Sequence, residues 1–506
     1  MRNTINTLIL FFVFTTIYGQ TKNMENIGKF YLRNSGEILS HENNVNGYYF
    51  FYSLDKLKKN QREYGIQILD NNLNEVAYKK YVAHKSTILL DSKFNNDALM
   101  FAFLNIKEKK INLAMYDEKA VQISKKNIEL SKKEFQWLSI MNTEENSNVL
   151  FSVPNKGFLY NKIQYNKKVG YSLKFYPSNG KRGWNYNSPP NSKEFLFITP
   201  IEVNEKYIVL LEMSKPGMLS KKITIKTKIL NSDTGKLILE KAHDPKKPKL
   251  ITNAFLTKDE NLVILGEYFN ENDKIFTTKS LGLFTEVINI NGETISENFS
   301  SWEDNLSSKL KSIDEKDNYY VYFHDIIQTK NGNFYAIGEK YKRTASAGGI
   351  TMAVLSKGQN TTTQLTITDA LIFEFDSDFK IKNINIFKKG TSRVPSLTDF
   401  GSPQLNAHAL ATLGAFDYEY TQIDKKNDRF YTCFIDYERL KGEKNKNAFK
   451  TIIYDEDEFS EDKIYLESGK DVSIRVLPAK IGHVLLLEYN KKEKSIKLHM
   501  EKLNIK

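Results

Sequence analysis

The sequence predicts an all-β chain assembled from repeated four-stranded antiparallel units. Three observations predict it. Short runs rich in Val, Ile, Leu, Phe and Tyr alternate with Asn, Asp and Gly turn signals along nearly the whole 506-residue chain, the pattern of strands joined by hairpins. Two segments match each other: AFLTKDENLVILGEYF (Ala254 to Phe269) and IIQTKNGNFYAIGEKY (Ile326 to Tyr341) share Thr-Lys, an Asn before the second strand, and Gly-Glu at its end. The same grammar returns at a spacing of roughly 50–55 residues, a period that suits radial four-stranded units. Helical periodicity is nearly absent, and Asn305 to Asp317 is the best helix candidate.

Taken in order, the chain opens with Arg2, an apolar run from Leu8 to Ile17, and Gly19-Gln20. A cation, a short apolar run and a small residue are the parts of a secretory signal peptide, so residues 1–20 are expected to be a cleaved leader and residues 21–506 one domain. Gly28 to Arg33 follows as a candidate strand. The first unit comprises Tyr48–Ser53, Tyr64–Asp70 and Glu75–Val82, and the second Ala98–Leu104, Ile111–Asp117 and Val121–Ile128. A looser third holds Val149–Val153 and Gly170–Tyr176; a fourth holds Tyr207–Met213, Ile223–Asn231 and Lys236–Lys241. The two matched segments begin the fifth and sixth units. They continue through Leu283–Ile290 and Glu293–Phe299, and through Ala370–Phe375 and Lys380–Phe387. A seventh covers Arg429–Asp436, Ala448–Asp455 and Lys463–Glu467, and Val484–Tyr489 with Ser495–Lys502 makes a short eighth.

Four-stranded units at this period resemble the blades of a β-propeller, and the resemblance spans nearly all of residues 21–506. It implies a single ring of about eight blades, with seven as the alternative. The Trp-Asp and Gly-His signature of WD40 repeats and the kelch double glycine are missing, so the resemblance is architectural and names no functional family. The last unit lacks an outer strand. Gly28–Arg33 is therefore expected to pair beside Lys494–Leu503 and close the ring, because all-β proteins must dispose of open edges.

The composition narrows the functions. Lys plus Arg is 73 and Asp plus Glu 61, a formal net charge of +12, yet the lysines are interleaved with acids, as in Lys107-Glu108-Lys109-Lys110. That reads as a solvated surface. For an exported protein, an envelope protein or an anionic glycan is the expected partner rather than nucleic acid. The single cysteine, Cys433, sits in an apolar run and reads as a small buried hydrophobe; one thiol makes neither an intrachain disulfide nor a cysteine-based zinc site. No cysteine follows the leader to carry a lipid anchor, and no later stretch is long enough to span a bilayer. The oligomeric state is left open.

Loops carry function more often than scaffold does. The largest insertions are Lys342 to Thr368, between second and third strands, and Lys389 to Ala407, between blades. In an up-and-down blade these connections share a face, so that face is the expected binding surface, with Lys342, Arg343 and Arg393 as ligand contacts and a small-residue run at Ala345 to Gly349. A second candidate is PSNGKRGWNYNSPPNS (Pro177 to Ser192), where Arg182, Trp184 and Tyr186 combine cations with aromatics, suited to a sugar or an acidic ligand. Asp455-Glu456-Asp457-Glu458, Asp376-Ser377-Asp378 and Asp233 near Gly235 fall at third-to-fourth-strand hairpins and read as turn chemistry rather than calcium loops. No histidine pair has metal-ligand spacing; neither a nucleophile elbow nor a phosphate loop occurs. No catalytic residue, metal or cofactor is assigned.

The leading expectation is therefore an exported binding or scaffold protein of the cell envelope, periplasmic or extracellular. It would engage a protein or an anionic polymer through the insertion face, and it leans away from catalysis. The alternative is a secreted polysaccharide-acting hydrolase or lyase with carboxylates, or His324 and His408 on innermost strands, at the ring centre.

Overall fold

A strand buried on both faces reads as a continuous apolar run, and the second strands of the repeats are of this kind. Ala98–Asn105 is buried at every position. Alternate residues of such a strand serve different interfaces, because successive side chains point to opposite faces. Tyr48, Phe50 and Tyr52 enter one hydrophobic cluster while Tyr49 and Phe51 enter another.

The computed structural model describes residues 20–504 except 41–43, 57–59, 142–147, 218–219, 221, 311–318, 349–360, 439–445, 467–468 and 470. Among these residues the strands form eight antiparallel sheets, each of four strands in sequence order apart from the last blade's outer strand, one sheet carrying an added fifth. The first strands of blades 1 to 8 are Ser35–Leu39, Thr87–Phe94, Leu150–Val153, Phe195–Val203, Lys249–Leu256, Tyr320–Gln328, Tyr418–Asp424 and Val472–Pro478. First strands touch the first strands of other blades, blades 1 and 8 included, so they line the centre. Eight large hydrophobic clusters straddle consecutive blades, one for each seam from blades 1 and 2 round to blades 8 and 1. Apolar burial of that pattern holds a closed ring together. The molecule is an eight-bladed β-propeller.

The N-terminus closes the ring, but a different segment does it. Thr21–Met24 is the outer strand of blade 8, with Thr21 opposite His499 and Met24 opposite Ile496 on Ser495–Lys502. Gly28–Arg33, expected to pair there, turns onto blade 1 instead. The ladder ends where Ile27 N donates to Lys494 O at 2.8 Å, and Gly28 N then donates to Ser53 O at 2.7 Å. Any Cβ on Gly28 would lie 2.6 Å from Leu54 O, so only glycine permits this approach. Phe30 seals the seam edge-on against Tyr489 at 5.6 Å. The leader expected over residues 1–20 lies, but for Gln20, outside the described residues.

The hairpins repeat their chemistry. In the third-to-fourth turns of blades 1, 2, 5 and 6 an Asp or Asn side-chain oxygen accepts from the N–H groups two and four residues on, at Asp70, Asp117, Asn289 and Asp376. The residue three on from each, Leu73, Ala120, Gly292 and Phe379, takes positive φ. Asp376 thus holds a turn, as its placement predicts, and Asp70, Asp117 and Asn289 do the same in their blades.

Among the described residues three helices sit in blade-to-blade connections. Helix α1 (Lys132–Met141) joins blades 2 and 3, α2 (Ser307–Leu310) follows a π-type turn between blades 5 and 6, and α3 (Pro403–Thr412) joins blades 6 and 7. The helix expected over 305–317 is present only as this turn and α2; residues 311–318 lie outside the described set. Lys342 to Thr368 is less of a loop than expected, because the second and third strands of blade 6 run on as a paired ladder to Ala345 and Thr363.

Candidate functional site

The two insertions form one assembly. Ser392–Pro395 adds to the extended third strand of blade 6, with Arg393 opposite Thr366. The loop beyond it is pinned from several directions. The Asp399 carboxylate accepts from Thr362 N at 2.8 Å, Thr363 N at 2.9 Å and both threonine hydroxyls at 2.9 and 2.7 Å. Those N–H groups hold its carboxyl below the ordinary range. Arg343 donates to the carbonyls of Asp399 and Gly401. Asn406 of α3 accepts from Leu397 N at 3.0 Å and Thr398 N at 3.2 Å and donates back to Thr398 O. Ser402 caps α3 through Leu405 N while its own N–H and hydroxyl reach Phe276 O and Ile275 O in blade 5. On this fixed loop Phe400 is 88% exposed and Leu397 51%.

At the base of the assembly lies a buried charge cluster. Lys389, without exposed side-chain surface, stands 3.0 Å from Glu339 and pairs also with Asp417. His324 Nε2 stands 2.9 Å from the other Glu339 oxygen, which accepts from Asp417 N and Tyr418 N as well. Ser392 Oγ donates to Asp417 at 2.8 Å. Burial opposes charge on Glu339, but Lys389 and then His324 hold its carboxyl below the usual value. Asp417 is pushed up to about 6 by burial, with Glu339 adding repulsion. Two carboxylates thus share one ammonium.

Helix α3 crosses the mouth of the channel. Its start is held at blade 5, where Gln404 donates to Ser280 at 2.9 Å. Its end, at Ala411 and Thr412, roofs a cavity of about 640 Å³ lined by the first strands of blades 1, 2, 3 and 8. That cavity extends to Asn96 and Pro154, in first-to-second turns, which belong to the face opposite the insertions. His324 lies on an innermost strand as expected; His408 does not, for it belongs to α3. Both rings nevertheless pack on Tyr322, at 5.0 and 6.1 Å.

The first strands also bring carboxylates to the channel. Five of them carry a bulge, at Leu90, Ile201, Thr252, His324 and Glu419, each opposite no partner. A bulge re-aims neighbouring side chains. Burial, aided by the charge of Asp325, pushes Glu202 up to about 7. Burial pushes Asp325 itself up to about 6. Glu419 is exposed on its strand, yet burial of its carboxyl drives it up to about 7 against the pull of Arg475. None of these acids was singled out from the sequence. The signal available was an acid at the same place in blades 2, 4 and 6: Asp91, Glu202 and Asp325, each one residue after its bulge. No group of three metal-ligating side chains occurs among the described residues.

The six sequence candidates divide between two faces. Lys342, Arg343 and Arg393 share the extended sheet of the insertion face; Lys342 lies over the Tyr319 ring at 4.7 Å and Arg343 is committed to the loop carbonyls. Arg182, Trp184 and Tyr186 belong to the third-to-fourth connection and outer strand of blade 3, toward the other face and rim. There Trp184 stacks on Phe175 at 5.3 Å, covers Gly235, and donates from its indole nitrogen to Ser232 O at 2.8 Å. Tyr186 stacks on Tyr171 at 6.2 Å, and Lys228 donates to its hydroxyl at 3.3 Å. Both rings join blade 3 to blade 4, and Arg182 is exposed.

Fold and site thus define the class: an eight-bladed propeller with a helix across one mouth and a polar cavity beneath it. The chain belongs to the family of unknown function DUF6770, whose model matches residues 1–504. No curated protein matches. Among solved structures it is similar to prolyl oligopeptidase B from Galerina marginata, at 10% identity and a TM-score of 0.39. That match covers 94% of this chain but 56% of the other. It is similar also to the β-propeller domain of the Trilobed protease from Pyrococcus furiosus, at 11% identity and a TM-score of 0.38, over 85% and 96% of the two chains. TolB from Acinetobacter baumannii matches at 8% identity and a TM-score of 0.25, over 83% and 80%. These are likenesses of fold and say nothing of what this chain binds.

Proposed function

We propose that the protein is an exported binding module of the cell envelope that engages a partner protein through its insertion face. One observation carries this reading: Phe400 is 88% exposed on a loop that hydrogen bonds to Thr362, Thr363, Arg343 and Asn406 hold in place. An apolar ring left in water costs free energy, and a preorganised one returns it on association without an ordering cost. Buried aromatic anchors dominate interface energetics. Leu397 widens the apolar patch. Arg393, on the same assembly, favours a partner with an acidic rim.

The test places a photo-cross-linking residue at position 400 of the full chain in cells, with position 121 as control, since Val121 is also well exposed (61%) but lies on the blade 2 rim. A discrete cross-linked species at 400 and none at 121 is expected; no species at 400, or equal yields at both, refutes the reading. Phe400→Ala should weaken that partner's binding about 30-fold, since covering a phenylalanine is worth about 2 kcal/mol, without a change in melting. Fractionation of cells expressing the full chain should place it in the envelope or medium; retention in the cytosol contradicts export.

A second reading has its own support. Glu202 and Asp325, on the first strands of blades 4 and 6, are both raised by burial and Asp325 acts electrostatically on Glu202, the kind of carboxyl pair that performs acid and base steps in a polysaccharide hydrolase or lyase. Glu202→Gln should abolish any such glycan cleavage while leaving the cross-link at 400 intact.

A further inference from the structure

The cavity beneath α3 is a second, separate site. Its volume of about 640 Å³ lies within the range of roughly 300–1,000 Å³ typical of small-molecule pockets. Much of its polar wall is already committed to the fold. Asp91 accepts from Val149 N at 3.0 Å and Leu150 N at 2.9 Å, and the Asn95 amide reaches Ser178 at 2.6 Å. What remains uncommitted is informative. Glu37, Lys93, Asn148 and the side-chain amide of Asn34 line the cavity without a hydrogen-bond partner among the described residues. Arg475 is fixed by one nitrogen, Nη1, which donates to Leu32 O at 2.8 Å and Ser35 O at 2.7 Å. Its Nε and Nη2 remain for a ligand.

The uncommitted set mixes acceptors and donors: a carboxylate, two amides, an ammonium and half a guanidinium. Its two cations and one carboxylate, with Glu419 acting electrostatically on Arg475, leave little net charge. A simple anion meets Glu37 and a simple cation meets Arg475 and Lys93, so neither suits the wall. An apolar ligand would strand these polar groups at the full desolvation cost. Hydroxyl groups both donate and accept, and vicinal hydroxyls match amide, carboxylate and guanidinium edges alike. Phe94 supplies an apolar wall for a sugar's C–H face. We propose that this cavity binds an uncharged oligosaccharide, entering from the face opposite the insertions.

The test is calorimetric titration of the mature chain with maltotriose, cellotriose and triacetylchitotriose, and with glycylglycine and citrate as zwitterionic and anionic probes. At least one trisaccharide should bind, and neither small probe should. Glu37→Gln and Asn148→Ala each remove a contact without touching the Arg475 anchor, and each should weaken binding about tenfold, as loss of a hydrogen bond to a charged or buried polar group does. Phe400→Ala should leave it unchanged, which separates this site from the partner face. The proposal is overturned if all three trisaccharides fail to bind. It is equally overturned if glycylglycine or citrate binds in their place, or if trisaccharide affinity is the same in Glu37→Gln, Asn148→Ala and the wild type.

Discussion

Replacing Lys389 by methionine removes the one ammonium shared by two buried carboxylates. The methionine keeps most of the stem's volume, so the perturbation is electrostatic rather than a cavity. Glu339 and Lys389 have no exposed side-chain surface and Asp417 has 4%, so water cannot replace the lost partner. Breaking a buried pair by removing one member costs about 3–5 kcal/mol. At about 2.1 cal/mol/K per residue, unfolding a chain of roughly 480 residues has an entropy near 1 kcal/mol/K, so the melting temperature should fall by about 3–5 °C at neutral pH. The loss must depend on pH with a definite sign. In the wild type Glu339 sits below its ordinary value, so its contribution is present above about pH 4 and lost as pH falls through the native value. Without Lys389, burial raises both carboxyls, and a group raised in the fold is stabilising below its unfolded pKa and loses that contribution as pH rises through the folded one. Calorimetric melts from about pH 4.5 to 8 should therefore show a small deficit for Lys389→Met in acid that widens with pH. Adding Glu339→Gln and Asp417→Asn should recover most of it. A deficit that stays the same at every pH, or that survives the triple replacement undiminished, refutes the account of a shared charge.

Ring closure makes a second target: Met24 is buried in the seam of blades 8 and 1, so Met24→Asp should release Thr21–Met24 and raise amide exchange along Ser495–Lys502, and protection unchanged there would contradict the closure. The Asp399 carboxylate gives a third. Because its pKa is depressed, its hold on the blade 6 hairpin is present above about pH 4 and lost as pH falls through its native value; Asp399→Asn should show at neutral pH the proteolytic cleavage between residues 345 and 363 that the wild type shows only in acid. Trp184→Ala should lower stability by about 2–3 kcal/mol, less than for a fully buried tryptophan, through the seam of blades 3 and 4, while leaving partner binding at position 400 untouched; unchanged melting would return Trp184 to the list of binding residues.

Some parts of this molecule are written plainly in its sequence and others are masked for physical reasons. Second and third strands were legible because they are buried on both sides, which produces runs such as Leu262–Tyr268 and Gly282–Ile288. First strands were often missed. They are wet on the channel side, and Ser35–Leu39 is only five residues, while the bulges in Phe195–Val203 and Tyr418–Asp424 break the two-residue period. Gly28–Arg33 is the more apolar segment, yet an edge strand needs backbone pairing more than side-chain apolarity, and Thr21–Met24 supplies that with one buried methionine. Two helices had local signals that apolar periodicity could not reveal. Ser131 and Glu134 form a reciprocal cap at α1, Ser131 N to Glu134 at 2.8 Å and Glu134 N to Ser131 Oγ at 3.2 Å, the Ser-x-x-Glu signature of a helix start. Ser402-Pro403 announces α3 in the same way. The channel acids are the hardest class to read, since Glu202 and Asp325 come from different blades and act on each other only once the ring has closed.

The placement of α3 decides how the two proposed sites relate. Its first residues hold the Phe400 loop through Asn406, and its last residues roof the cavity, so any motion of the helix would be felt at both. The bonds at its start argue against such motion. Ser402 N and Oγ reach Phe276 O at 2.7 Å and Ile275 O at 3.0 Å, and Gln404 bonds Ser280, whose hydroxyl also receives the Trp302 indole at 2.9 Å. Ser402, Gln404 and Asn406 are each about 1–2% exposed. Shifting the helix would strand several buried donors and acceptors at once, at about 1–3 kcal/mol apiece, more than the coupling energies of roughly 1–3 kcal/mol by which ligands ordinarily bias one another. Helix α3 is thus a fixed partition: the partner face and the cavity are rigidly joined in structure and energetically independent in binding.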